Sequence, residues 1–173
     1  MAKKSMKINV VDHLLIDNNR EVEDVTSVVL PVLEHPTTAI DTSGIALAMD
    51  VPDMTKFNAA EYSIAHNNGT NSQYLSMPGL HTDEFRTVRQ KYTTSKTKIE
   101  YESVKYRLTG MHKSTEKGTI ETGNPWGSTD KYSLVRYEEI VAGKQTMLID
   151  GPNNIIIKIN GKDFSGDVQK LLK

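Results

Sequence analysis

The residues best suited to catalysis or metal binding are five histidines, His13, His35, His66, His81 and His112, and they are dispersed along the chain. None forms the His-x-x-x-His pair that sets two imidazoles on one helix face. A metal site would have to gather its ligands from distant segments. The nucleophile elbow G-x-S-x-G and the glycine-rich cradles that hold phosphates are absent. Paired carboxylates stand at Asp83-Glu84 and Glu138-Glu139. Acid–base catalysis could use such pairs, but the first reads more simply as the start of a helix and the second as the wet face of a strand. No catalytic, metal or cofactor site is therefore assigned. Lys98, Glu100, Glu102, Lys105 and Arg107 make one extended run unusually charged. That run is either an ordinary wet sheet face or a wide polar surface turned toward a charged molecule. Trp126, in Asn124-Pro125-Trp126-Gly127, reads as an interface anchor or as a plug for its own loop.

The chain of 173 residues fits one domain with a moderate core. Its net charge of −1 lacks the basic excess of a generic nucleic-acid binder. With no cysteine there is neither a disulfide nor a thiolate metal site, and a reducing compartment is allowed. Apolar runs are only a few residues long, far short of the roughly 20 of a spanning helix. The opening MAKKSMKINV has basic residues but no apolar stretch, so it does not read as a secretory signal.

The elements that must position these side chains are mostly strands. From Thr129 to Asp163 three extended runs are broken at Ala142-Gly143-Lys144 and at Asp150–Asn154, with Asn160-Gly161 closing the set; Gly and Asn accept the positive φ of hairpin turns, so this is a meander. Earlier, 22–33, 45–51 and 60–66 read as strands, and Glu34–Gly44 as an irregular loop of the kind that contacts partners. Residues 1–21 read as an arm that packs elsewhere, or as a first edge strand. Thr82 as N-cap, Asp83 and Glu84 in a first turn, and the stripe Phe85, Val88 and Tyr92 predict a helix over about 81–92. In the run 97–112 the apolar positions change parity between Tyr101 and Val104, which predicts a bulge near Glu102-Ser103. The tail 164–173 ends in a possible helical turn, Val168–Leu172.

The order of these pieces carries a resemblance. An arm reaches His13-Leu14-Leu15-Ile16-Asp17; the strand Val25-Thr26-Ser27-Val28-Val29-Leu30-Pro31 follows, then a polar loop carrying Gly44. A long charged strand comes later, and Leu148-Ile149-Asp150, an Ile-rich strand and Asn160-Gly161-Lys162-Asp163 stand near the end. Over roughly residues 9–165 this resembles the major tail tube protein of contractile phage tails and of phage-tail-like bacteriocins. The chain departs from the family in the loop after Glu34, which is less Gly-rich, and in its Lys-Leu-Leu-Lys terminus.

The resemblance implies a structural protein and not an enzyme, with no cofactor. It implies a mainly β fold, an antiparallel β-sandwich or partial barrel with one α-helix, as a single domain over 1–173. Six copies would form a ring with a continuous inner β-barrel, and rings would stack into a rigid tube inside a sheath. The implied partners are further copies of the chain, the tail sheath protein, the tape measure protein, the baseplate, and DNA passing through the lumen without specific binding. The implied location is a virion tail or tail-like particle, made in the bacterial cytoplasm. The alternative is an unrelated β-sandwich module that binds a ligand through its Asn/Gly/Trp loops. On the tube reading, Glu100, Glu102, Arg136 and Glu138 face the lumen, opposite the apolar Ile99, Tyr101, Val135 and Tyr137. A lining of acidic or mixed charge would let phosphates slide. Ile8, Val10, Leu14, Ile16, Met147, Ile149 and Ile156 are the expected contacts between subunits.

Overall fold

The computed structural model describes residues 5–17, 20–41, 47–70, 79–93, 98–151 and 156–171. Gly44 of the polar loop, the break expected at 152–154 and the side chain of Ile156 lie outside the described residues. Twelve strands and one short helix are described: β1 (Ser5–Asp17), β2 (Arg20–Val22), β3 (Val25–Val29), β4 (Thr37–Ile40), β5 (Met49–Pro52), β6 (Glu61–His66), β7 (Leu80–Thr93), β8 (Lys98–Glu116), β9 (Ser128–Val141), β10 (Lys144–Asp150), β11 (Ile156–Ile159), β12 (Lys162–Asp163) and α1 (Gly166–Leu171). The fold is mainly antiparallel β, as expected. One sheet has the order β12-β11-β10-β9-β8-β7-β1-β2, with β6 joined to β9 and β3 to β6, while β4 and β5 form a separate hairpin.

The meander is present. Ala142 and Gly143 turn β9 into β10 with φ of 49° and 77°, and Asn160 and Gly161 turn β11 into β12 with 49° and 81°. Two residues of positive φ match the right-handed twist of the strands they join. The expected strand over 22–33 is interrupted at Asp24 (φ 65°), which separates β2 from β3. Within the polar loop after Glu34, Thr37–Ile40 is a strand paired with Met49–Pro52. The strand expected over 45–51 begins later than that, at Met49.

The helix expected over 81–92 is a strand. β7 is paired along its length with β8 and with β1. His81, Asp83 and Phe85 point into the core, while Thr82 and Arg86 are exposed and Glu84 half-buried between them. Two of the three inward side chains are polar, so the period of two is invisible to hydropathy. Phe85, Val88 and Tyr92 then mimic a helical stripe. The helix that does form, α1, lies in the tail, where Asp163 Oδ1 accepts from the Gly166 and Ser165 amides at 2.9 and 3.0 Å.

The bulge expected at Glu102-Ser103 is also elsewhere. β8 keeps an unbroken register with β7 from Lys98 to Met111. On β9, by contrast, Thr109 faces Arg136 and Gly110 faces Leu134, leaving Val135 as the extra residue. This bulge lets Tyr132 and Tyr137, five residues apart, both face inward, where they join Leu15, Tyr62, Ile64, Phe85 and Leu108 in one core cluster. It is also where β9 changes its second neighbour, since the Leu134 amide donates to Ala60 O and Val135 O accepts from Gly151.

The sheet curls on itself. Laid flat, β6 would lie three strand spacings from β7, roughly 14 Å at about 4.8 Å per strand, yet the Tyr62 hydroxyl donates to Asp83 Oδ2 at 2.8 Å. Gly110 permits this closeness: a Cβ there would lie 2.8 Å from the Tyr62 ring and 2.7 Å from Ser133 O. His81 and His112 lie against the Tyr132 ring, with centroids 6.0 and 5.5 Å away, and aspartates stand beside these two and His66. His81 Nε2 lies 3.0 Å from Asp83 Oδ1 and 3.5 Å from Asp17 Oδ1, while His66 and His112 flank Asp130 at 3.5 and 3.6 Å. Thr115 Oγ1 also donates to Asp130.

The hydrogen bond to Asp83 holds the His81 imidazolium above its ordinary range against burial, whereas burial pushes His66 down despite Asp130. A raised folded-state pKa gives stability that is complete below the unfolded value of about 6.5 and is lost as pH rises through the folded value. His81→Gln is therefore expected to destabilise the subunit more at pH 5.5 than at pH 8.5, by on the order of 1 kcal/mol in difference, read from denaturant midpoints at the two pH values.

Candidate functional site

Seen across its strands, the long sheet has one face turned to the core and one to water. The outer face is organised by register. Glu84 on β7 stands opposite Arg107 on β8, which stands opposite Glu138 on β9. Arg107 Nε donates to Glu84 at 2.7 Å and its Nη1 lies 3.6 Å from Glu138. Arg86 Nε donates to Glu84 at 2.6 Å. Arg136 lies 4.0 Å from Glu138 and 3.8 Å from Asp150. Gln145 donates to the other oxygen of Glu138 at 2.6 Å. The result is a chain of alternating charge, Arg86–Glu84–Arg107–Glu138–Arg136–Asp150, laid across β7, β8, β9 and β10.

The carboxylates lie beneath and the guanidiniums on top. Side-chain exposure is 15%, 11% and 9% for Glu84, Glu138 and Asp150. It is 48%, 46% and 44% for Arg86, Arg107 and Arg136. Burial alone would raise the Glu84 carboxyl, but hydrogen bonds from Arg107 and Arg86 outweigh it and hold the group below the usual carboxylate range.

The four residues expected to share a polar face divide into two pairs. Arg136 and Glu138 belong to the outer chain of charge. Glu100 and Glu102 share the parity of Val104, Tyr106 and Leu108 and so lie on the core-side face, beyond the end of the core. Glu102 is engaged there by Arg89 at 2.6 Å and Lys7 at 3.5 Å. Their neighbours Ile99 and Tyr101 are the outward residues and are exposed, the reverse of the expected parity. Arg107 is part of the charged run that the sequence shows, whereas Glu84, Arg86 and Asp150 join it only in the structure. The i, i+2 repeats Glu84-x-Arg86 and Arg136-x-Glu138 were the available signal, and the supposed helix concealed the first. The carboxylate pair Asp83-Glu84 is split by the pleat, with Asp83 in the core and Glu84 outside.

The apolar candidates also differ in place. Ile8 and Val10 are exposed on β1, whose edge from Ser5 to Leu14 has no partner strand among the described residues. Leu14 and Ile16 are half-buried. Met147 and Ile149 pack against the core. The β4–β5 hairpin and its flanks expose Leu47, Met49, Val51 and Met54. Trp126 is a plug for its own loop: Nε1 donates to Lys117 O at 2.6 Å, and a Cβ on Gly69 would strike its ring at 2.3 Å. Among the described residues no three acidic or histidine side chains are placed to hold a metal ion.

The family model described as phage tail tube protein FII matches residues 10–172. In three dimensions the chain is similar to the sheath/tube terminator of an extracellular contractile injection system, PVC, solved by cryo-electron microscopy in the extended state. The TM-score is 0.54 at 8% identity, over 76% of this chain and 95% of that one, a likeness of fold alone. No curated protein matches the sequence.

The lowered Glu84 pKa fixes a sign. Its stabilising contribution is present above the unfolded value of about 4.3 and is lost as pH falls through the folded value. Thermal midpoints measured from pH 6 to pH 3 are expected to fall less steeply for Glu84→Gln than for the parent protein; equal slopes would show that the outer chain of charge does not hold this carboxyl in solution.

Proposed function

The chain belongs to the phage tail tube protein FII family, whose role in the tail is structural, and from that premise we propose that it closes into six-membered rings whose stack forms a hollow tube. The observation that carries this reading is the two-faced long sheet. One face is sealed by the core. The other is broad, wet and laid with paired charges, and it ends at an unpaired strand edge. A closed ring of such sheets leaves no edge to recruit stray strands, and head-to-tail contacts that close are a permitted symmetry. The outer charged face with Arg136 and Glu138 then lines the bore. The unpaired edge of β1, with Ile8 and Val10, meets the neighbouring copy in the ring. The β4–β5 hairpin, with its exposed apolar side chains, reaches another copy.

In this reading the tube sits in a contractile tail or tail-like particle, inside a sheath and between baseplate and tape measure protein. DNA passes down the bore, and sheath contraction drives the tube through the cell envelope. The lining is mixed in charge and not purely acidic, because Glu84, Glu138 and Asp150 are each paired with an arginine.

Removing residues 1–16 would take Leu15 out of the core, so a surface change tests the edge better. Ile8→Asp is expected to leave the circular dichroism and melting temperature of the subunit within a few degrees of the parent while abolishing rings and tubes in negative-stain images. Normal tubes from the variant would remove β1 from the interface. Compact monomers from the parent protein at every concentration would refute the tube itself.

A further inference from the structure

Two imidazoles share one carboxylate at the end of the subunit where β6 meets β9. His66 Nε2 lies 3.5 Å from Asp130 Oδ2, and His112 Nε2 lies 3.6 Å from Oδ1, the oxygen that also accepts from Thr115. These groups come from β6, β8 and β9, and they differ in their access to water. The His66 and Asp130 side chains are sealed, at 0% and 1% exposure, whereas His112 keeps 12% and lies 2.9 Å from Thr115 Oγ1. Two further charges act on His66, Asp83 on β7 and Asp24 in the turn between β2 and β3. Asp83 is already engaged by His81 and Tyr62, and Asp24 stands at the surface. One proton on the pair of imidazoles is therefore balanced by Asp130. A second sets two cations against one buried carboxylate, which like charge and desolvation both oppose. His112 can share its charge with water and His66 cannot, so His66 is the group that must move.

His66 does not move alone. Its backbone pairs with Val25 on β3 and Ser128 on β9, and a Cβ on Gly127 would lie 2.5 Å from its carbonyl oxygen. The residues after it are tied to the same places. The Asn67 amide donates to Asp24 O at 2.8 Å, the Gly69 amide to Trp126 O at 2.9 Å, and Ser128 Oγ to Asn68 O at 3.0 Å. We propose that His66, Asp130 and His112 form an acid-sensitive latch, in which a second proton releases residues 66–69 from β9 and from the loop that Trp126 plugs. The latch belongs to the single subunit and does not depend on the tube reading. Its sign follows from burial, which holds the folded His66 imidazole below its ordinary range. The closing contribution is present above about 6.5 and is lost as pH falls through the lower folded value. His81 responds in the opposite sense, because Asp83 favours its imidazolium.

The test is hydrogen–deuterium exchange of the full chain, read by mass spectrometry at pH 7.5 and pH 5.0 as protection corrected for intrinsic exchange. Protection in the segment 61–70 is expected to fall by up to about 10-fold for each pH unit below about 6.5, the limit for one linked proton. Residues 98–108 of β8 are expected to keep theirs. Emission from Trp126, the single tryptophan, should change over the same range. His112→Gln leaves Asp130 with one imidazole and is expected to abolish both changes, as is His66→Gln. Circular dichroism at pH 7.5 checks each fold, and His112→Gln, at the more exposed position, carries the test if His66→Gln does not fold. Constant protection of 61–70 in the parent, an equal loss in 98–108, or an undiminished loss in folded His112→Gln overturns the proposal.

Discussion

Along one edge β9 pairs with two different strands in turn, and the change of partner falls at the bulge at Val135. Its first half pairs with β6 and its second with β10, while β8 runs along the whole of its other edge. The extra residue at the bulge re-phases the strand, so Tyr132 and Tyr137 both enter the core. The same shift keeps Arg136 and Glu138 on the outer face in register with Arg107. Without it, Arg136 and Glu138 would share the inward parity of Tyr132. The separation of a sealed face from a charged one therefore depends on a single inserted residue.

The two faces use opposite economies. Inside, three histidines, three aspartates and two tyrosines are interlinked, and burial makes each lost partner expensive. Such a network ties together β1, β6, β7, β8 and β9, the strands that carry its members. Outside, the charges are solvated and individually cheap, so their pattern can answer to what the surface meets.

The meander, its two-residue turns and the all-antiparallel character were legible in the chain, because Ala142-Gly143 and Asn160-Gly161 announce positive φ and β-branched residues fill the runs between. The inward face of β7 was not legible. His81 and Asp83 are polar residues in apolar positions, and no hydropathy period can show an alternation whose buried members are charged. Once 81–92 was taken for a helix, Glu84 had no strand partner, and the line of charge through Arg107 could not be assembled. The parity of Glu100 and Glu102 failed for a related reason: Ile99 and Tyr101 are apolar but exposed, at the end of the sheet where no core lies beneath them. Of the apolar residues proposed to meet another copy, Ile8 and Val10 are exposed, whereas Met147 and Ile149 pack against the subunit's own core.

The central claim is that the face bearing Arg107, Glu84 and Glu138 is the inner wall of a tube. A cryo-electron microscopy map of the assembled protein, at a resolution that traces side chains, tests it directly. The account predicts rings in which these three residues project into the lumen with Arg107 still paired to both carboxylates. A map that places them against the sheath side, or buries them between subunits, would contradict it.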